Sequence, residues 1–217
     1  MTAKPRDIEI VEVETPFRGY FRIDRYKLRH ELFEGGMSGV MSREVFERGH
    51  AATILLYDPD REKLVFVEQF RIGAYAAARN SPWFAEDFSP WLIETVAGII
   101  DAGETPEQVV RREAGEEADC LVLDVIPVMH YLVSPGGTTE SLFVFVGRVD
   151  STQAGGIFGL REEHENIRVL VAGVDEAFAW LDEGRIVNSM TLIPLMWFRH
   201  HRESVRRRFL EGVTPSA

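Results

Sequence analysis

A single cysteine, Cys120, leaves the 217-residue chain no partner for an intrachain disulfide and too few thiols for a cysteine-based zinc cluster. Such scarcity suits a reducing compartment. Lysine is nearly as rare: of 24 basic residues only Lys4, Lys27 and Lys63 are lysine, and the rest are arginine. Arginine favours bidentate phosphate recognition, although a genome-wide codon bias is the simpler cause. Positive charge as a whole is in deficit, 24 against 35 acidic residues, for a net −11. A field of that sign repels nucleic acid and anionic membranes. It still admits a small phosphorylated substrate where a bound divalent cation reverses the local sign. No apolar run approaches the ~18 residues of a membrane span. The opening MTAKPRDIEIVEVE has no apolar leader core, so a cytoplasmic protein is expected, without nucleic-acid or membrane partners. There is no internal repeat.

What remains is a globular composition, 45% apolar and 27% charged. A chain of this length buries roughly 70% of its unfolded surface and needs no covalent staple. Residues 8–14 (IEIVEVE) alternate strictly and 20–28 nearly so, predicting half-buried strands. Strands are also expected at 40–48, after the Gly35-Gly36 turn, and at 51–57, 63–70, 91–97, 125–132, 141–149 and 167–172. Residues 79–90, with two prolines, read as a loop, as do 134–139 and 154–166. Thr105-Pro106-Glu107-Gln108 has the N-cap, first-turn proline and third-position Gln of a helix start, predicting a helix to about Ala118. Asp175 is expected to cap a helix ending near Gly184, and a last helix to run from about Ser189 to Leu210. Strands with interspersed helices and no regular alternation predict an α+β layered fold. The first 48 residues are expected to form a small antiparallel sheet, with 49–217 as the main domain.

The segment Arg111-Arg112-Glu113-Ala114-Gly115-Glu116-Glu117 is unusual. At about 100° per residue, Glu113, Glu116 and Glu117 share an arc with Val109, Val110 and Ala114, whereas a solvated acidic face would lie opposite the valines. Like charges at this spacing repel, and a half-buried arc sharpens the cost unless a cation sits among them. Mg²⁺ or Mn²⁺ suits carboxylate oxygens. The competing reading is an acidic surface patch balanced by the two arginines. The C-terminal run Arg199-His200-His201-Arg202 and Arg206-Arg207-Arg208 invites a nucleic-acid reading. On a helix of an acidic protein, a solvated face or partners for acidic neighbours are the better expectation.

Gly98, Glu104 and Arg112-Glu113-Ala114-x-Glu116-Glu117, spaced over residues 98–120, resemble the Nudix box of diphosphate hydrolases. Two positions depart from the usual pattern: Ala114 replaces a larger aliphatic, and Asp119 stands where glycine is usual, although Asp tolerates a left-handed helix exit. Further blocks are similar to the bacterial ADP-ribose pyrophosphatase subfamily. They are Phe17-Arg18-Gly19-Tyr20-Phe21, Arg43 to His50, Glu68-Gln69-Phe70-Arg71, Ser134 to Glu140, Gly159-Leu160, and Glu162 to Arg168. Residues 73–90 form a longer loop than that subfamily leads one to expect.

The resemblance implies a Nudix mixed-sheet α/β/α sandwich with a small N-terminal sheet that forms a homodimer. The activity it implies is Mg²⁺-dependent hydrolysis of ADP-ribose to AMP and ribose 5-phosphate, with Mn²⁺ as a possible substitute. Implied metal ligands are the Ala97 carbonyl, Glu113, Glu117 and Glu165, with Glu116 as an additional one. Glu163 matches the general base, on a loop that can close over substrate. Glu104 and Arg112 support the site. Arg71, which follows a strand, could bind a phosphate, the alternative being an edge-strand cation, and Ile99 is a further expected substrate-binding residue. Tyr20, Phe21, Arg43, Glu44 and Arg48 fall at the adenine end across a dimer interface, and Ser134, Pro135, Gly136 and Glu140 at the terminal ribose. The alternatives are another nucleoside diphosphate sugar or dinucleotide as substrate, or a non-catalytic ADP-ribose-sensing module.

Overall fold

A computed structural model describes residues 6–160 and 164–211. The chain divides into two compact units, Met1–His50 with Leu132–Ser141, and Ala51–Tyr131 with Leu142–Ala217.

In the first unit, β1 (Ile8–Arg18), β2 (Arg22–His30) and β3 (Met41–Glu47) form an antiparallel sheet in that order. Opposite charges face each other across β1 and β2: Lys27 donates to Glu12 at 2.7 Å and Arg25 to Glu14 at 2.9 Å. Exposed pairs of this kind set register more than they stabilise. The alternation in β1 predicts one buried face, yet all its residues are exposed, Ile8, Ile10 and Val13 included. Among the described residues, the strand has a neighbour along one edge and no element covers either face. Residues 132–141 join this unit through β3. The Phe46 N–H donates to the Gly137 carbonyl at 2.8 Å, and the Thr139 hydroxyl to Glu47 at 2.7 Å.

The second unit is built on an eight-stranded mixed sheet. Its continuous order is β10 (Gly156–Phe158), β11 (Ile167–Gly173), β5 (Lys63–Phe70), β4 (Ala51–Asp58), β9 (Ser141–Arg148), β8 (Asp124–Leu132). Strand β6 (Trp91–Glu94) pairs with β5, and β7 (Val96–Ile99) with β4. β4 is buried throughout, as a near-continuous apolar run parallel to β9 should be. Its Ile54 and Leu56 pack with Val109, Val110 and Ala114 of α2 (Pro106–Ala118). Leu55 and Tyr57 pack instead with Trp180 of α3 (Val174–Asp182) and with Leu195, Phe198 and Phe209 of α4 (Ser189–Glu211). Helices therefore cover both faces, the layered α+β arrangement expected.

Where the chain leaves β5 for β4, between β6 and β7, buried Thr95 ties the change of partner to α4. Its N–H donates to Thr191 Oγ1 at 2.9 Å, its hydroxyl donates to the Met190 carbonyl at 3.1 Å, and Thr53 Oγ1 lies 2.7 Å away. The sequence reading took 91–97 as one extended run because a switch of neighbours leaves no local signal. Three more corrections are needed. Residues 72–79 form a helix, α1 (Ile72–Arg79), with no buried residue and hence no apolar stripe to announce it. The short β10 lies inside the expected 154–166 loop. Helix α3 starts after Gly173, whose N–H donates to Glu176 at 3.2 Å, so Asp175 lies in its first turn rather than at its cap.

Helix α2 begins as expected. Gln108 N–H donates to Thr105 Oγ1 at 3.3 Å, and Thr105 N–H to Gln108 Oε1 at 2.7 Å. Its exit needs no glycine: Asp119 takes the left-handed conformation (φ 50°, ψ 36°), with its N–H donating to the Gly115 carbonyl at 3.1 Å. Gly115, inside the helix, has open space where a Cβ would stand. Gly115→Ala is expected to stabilise the fold by about 1 kcal/mol, read as a higher chemical-denaturation midpoint. An unchanged or lower midpoint would mean that the open face of α2 must stay bare for another reason.

The C-terminal arginines are ion-paired. Arg199 binds Asp182 at 2.8 Å, Arg202 binds Glu62 and, at 2.7 Å, Asp175, and Arg208 lies 3.5 Å from Asp124. The basic run serves acidic neighbours, as expected. Among the described residues, no helix is long and apolar enough to cross a membrane.

Candidate active site

Helix α2 presents its carboxylates to the end of β7 because the valines on the same arc face the sheet. Val109, Val110, Ala114 and Ala118 are fully buried, and Glu117, next to them in register, is only 4% exposed. Its Oε2 accepts the Ala97 N–H at 3.2 Å, and Gln69 Nε2 lies 3.5 Å from its Oε1. Burial pushes the Glu117 carboxyl up to about 8, with the Glu113 charge adding to the shift and Glu165 contributing further. Glu113 is also raised, first by burial, with Glu116 and Glu165 adding repulsion that Arg112 partly offsets. These carboxylates share a dry and mutually repulsive space.

Arg112 holds the outer part of the cluster together. Its Nε and Nη2 donate to the two oxygens of Glu104 at 3.0 and 3.1 Å, and its Nη1 donates to Glu113 at 2.8 Å and Glu116 at 3.0 Å. The Arg112 hydrogen bonds hold the Glu104 carboxyl below its ordinary value. Arg112 therefore orients carboxylates, and Glu104 braces it.

Gly98 permits the closest approach in the site. A Cβ built there would overlap the Glu113 carboxylate, so any other residue at this position would force the Glu113 side chain to move. Gly98→Ala is expected to cost about 1–3 kcal/mol by overpacking and to displace Glu113. A thermal melt and the enzymatic rate should fall together, and a variant that keeps both would show that Glu113 has room to move aside.

Glu165 lies two residues before β11. Gly159 (φ +101°) turns the chain ahead of it, and the Glu165 Oε2 accepts the Leu160 N–H at 3.0 Å. Glu163 lies outside the described residues. Arg71 follows β5 and binds Glu94 with Nε at 2.9 Å and Nη2 at 2.7 Å. Burial works against its charge, and the carboxylates of Glu94, Glu117 and Glu165 more than compensate. Ile99 ends β7, opposite Ala51. Gln69 and Glu94 were not singled out in the sequence. Strand alternation was the available signal, since Val65, Val67, Gln69 and Arg71 point to one face.

The donors around Gly98 are all hard oxygens, the chemistry that Mg²⁺ or Mn²⁺ prefers, and the repulsion among them is the condition a divalent cation relieves. As they stand, however, each carboxylate is turned to a protein donor. Among the described residues, no three Asp, Glu, His or Cys side chains converge on a single metal position. Holding an ion would require side-chain rotation, with Glu113 leaving Arg112.

The other expected substrate residues lie in the first unit. Tyr20 is 88% exposed and meets Phe21 edge-on at 4.8 Å; Phe21 in turn meets Phe46 at 5.0 Å and lies under the Arg48 guanidinium. Arg48 stands 3.5 Å from Glu140. The 134–140 loop turns through Gly137 and Thr138 N–H groups that donate to the Ser134 carbonyl at 3.1 and 3.0 Å, with Pro135 and Gly136 between. Arg43 and Glu44 project from β3, Glu44 receiving Arg25 at 2.9 Å. These residues thus form one group through β3, and the box residues form another.

Comparison with known proteins places the chain in a family. The chain is 44% identical over 209 residues, covering 96% of each chain, to an ADP-ribose pyrophosphatase of Escherichia coli (strain K12). It is 35% identical over 153 residues, 70% of this chain and 75% of the other, to a GDP-mannose pyrophosphatase of Citrobacter koseri. A solved structure titled as that of an ADP compounds hydrolase superposes with a TM-score of 0.67 at 16% identity, covering 94% of this chain and all of the other, a likeness of fold. The NUDIX domain model matches residues 47–189, and the chain belongs to the NUDIX family.

Proposed function

We propose that the protein hydrolyses ADP-ribose to AMP and ribose 5-phosphate in a reaction that needs a divalent cation. The near-full-length likeness to the E. coli relative carries this reading, and buried Glu117 with half-buried Glu113 at Gly98 supplies its chemistry. Water adds its oxygen to one phosphorus, the bridging P–O bond breaks, and the proton of the water passes to a base. Glu163, on the loop that carries Glu165, is that base. Glu113, Glu117, Glu165 and the Ala97 carbonyl would hold Mg²⁺, or Mn²⁺ in its place, with Glu116 as a further ligand. Bound there, the cation would screen the phosphate charge and orient the diphosphate. Arg71 takes a phosphate oxygen. Tyr20, Phe21, Arg43, Glu44 and Arg48 receive the adenine end across a homodimer, and Ser134, Pro135, Gly136 and Glu140 the terminal ribose. The uncovered apolar side chains of β1 support residues 1–48 as the dimerisation element, and a cytoplasmic location suits the lone buried thiol.

The Citrobacter relative favours a second reading, with GDP-mannose as substrate. Purified protein incubated with ADP-ribose and Mg²⁺ should release AMP, with none in EDTA. GDP-mannose turned over tenfold faster would transfer the assignment to the second reading, and no cation-dependent AMP release would sink the first. Sedimentation of the intact chain checks the dimer.

A further inference from the structure

We propose that Glu94 is a positioning residue whose task is to aim Arg71 at the substrate diphosphate, a role that rests on the reading above. Glu94 is a charged side chain only 2% exposed. Its hydrogen-bond partner among the described residues is Arg71, through Nε at 2.9 Å and Nη2 at 2.7 Å, both on Oε2. Burying one partner of an ion pair rarely adds stability over an apolar side chain of the same size, and the Arg71 side chain is itself 40% exposed, so stability alone gives little reason for a carboxylate at this place. What the pair does fix is direction. A guanidinium carries five N–H donors in a rigid plane. Glu94 engages the Nε–Nη2 edge and leaves the Nη1 edge without a protein partner among the described residues.

The backbone of Arg71 is fixed as well. Its N–H donates to the Pro90 carbonyl at 2.9 Å, closing the neck of the excursion that carries α1. The side chain also feels the charges of Glu117 and Glu165. Without Glu94, the nearest compensation for Arg71 is those carboxylates, and an arginine folded onto them would compete with any cation and offer the phosphate nothing. Glu94 thus keeps the arginine beside the acidic cluster without letting it neutralise that cluster.

The test compares wild type with Glu94→Gln, Arg71→Lys, Arg71→Ala and the Arg71→Ala/Glu94→Gln double variant. Inorganic pyrophosphate binding is read by calorimetry, kcat and KM with ADP-ribose and Mg²⁺, and folding by thermal melt. Glu94→Gln should weaken pyrophosphate binding and raise KM about tenfold, with a smaller change in kcat. Arg71→Lys keeps the charge but cannot serve Glu94 and a phosphate together, and should behave alike. The double variant should be no worse than Arg71→Ala, since Glu94 has nothing to aim once Arg71 is gone. Multiplying effects, unchanged KM in Glu94→Gln, or a wild type that binds no pyrophosphate would each overturn the proposal. A wild type that binds pyrophosphate in this Arg71- and Glu94-dependent way but leaves ADP-ribose intact would uphold the aiming role and reject the ADP-ribose reading.

Discussion

Replacing Glu117 with glutamine is expected to lower turnover about 1,000-fold or more and, without metal, to raise the melting temperature at pH 8. The loss of rate follows from removing a charged oxygen from the proposed cation site, where several kcal/mol of transition-state stabilisation is at stake and each 1.36 kcal/mol is about a factor of ten. The gain in stability has the opposite origin. Glu117 is buried beside Glu113, and its carboxyl is pushed up to about 8. Below its ordinary value of 4.5 the group is protonated in folded and unfolded chains alike. Between 4.5 and about 8 the unfolded chain ionises while the folded chain keeps its proton, so folding stability declines as the pH rises through this window. Carboxyls held low by arginine, such as Glu104, titrate below the window and do not mask the trend. Melts in EDTA should therefore fall from pH 5 to pH 8 in wild type and fall less steeply in Glu117→Gln, whose amide oxygen can still accept the Ala97 N–H; the slope that remains is that of Glu113, which burial also raises. Added Mg²⁺ should restore the wild type at pH 8 and leave the variant unmoved. A variant that keeps its rate, or a wild type whose melt is flat in EDTA, would remove Glu117 from the cation site.

Glu163→Gln is the second large effect, with kcat falling by about 100- to 10,000-fold, the range of general acid–base catalysis. Glutamine is close to isosteric and cannot take a proton, so KM for ADP-ribose should stay within a few-fold of wild type. A variant that keeps its rate would shift the base to another carboxylate of the same segment, Glu162 being adjacent in the chain and Glu165 two residues on. Parallel losses in KM and kcat would instead mark Glu163 as a binding residue.

The two predictions differ in how far the fold supports them. Glu117 is fixed by a helix whose start, register and exit all follow local rules: Thr105 and Gln108 cap it, the valines choose its buried face, and Asp119 ends it. The carboxylates on the wrong arc were legible for the same reason, since periodicity shows which side of a helix is buried. Glu163 belongs to a segment with no periodicity, and its assignment rests on the resemblance alone. Helix α1 escaped notice because its side chains bury nothing, and a helix without an apolar stripe looks like the loop around it. Glu94 escaped because a charged residue near the end of an apolar run reads as the edge of a strand.

Local pattern, one helix face and one spaced motif were enough to determine the layered fold, the acidic cluster and the family, because each is written in residues a few positions apart. Only the tertiary structure decided that the Glu113 side chain packs against Gly98, that Glu94 pairs with Arg71, and that residues 132–141 pack with the N-terminal sheet. Those relations join segments up to about 90 residues apart. They depend on which strands become neighbours, and the free energy that selects neighbours comes from burying whole faces rather than from any local run of sequence.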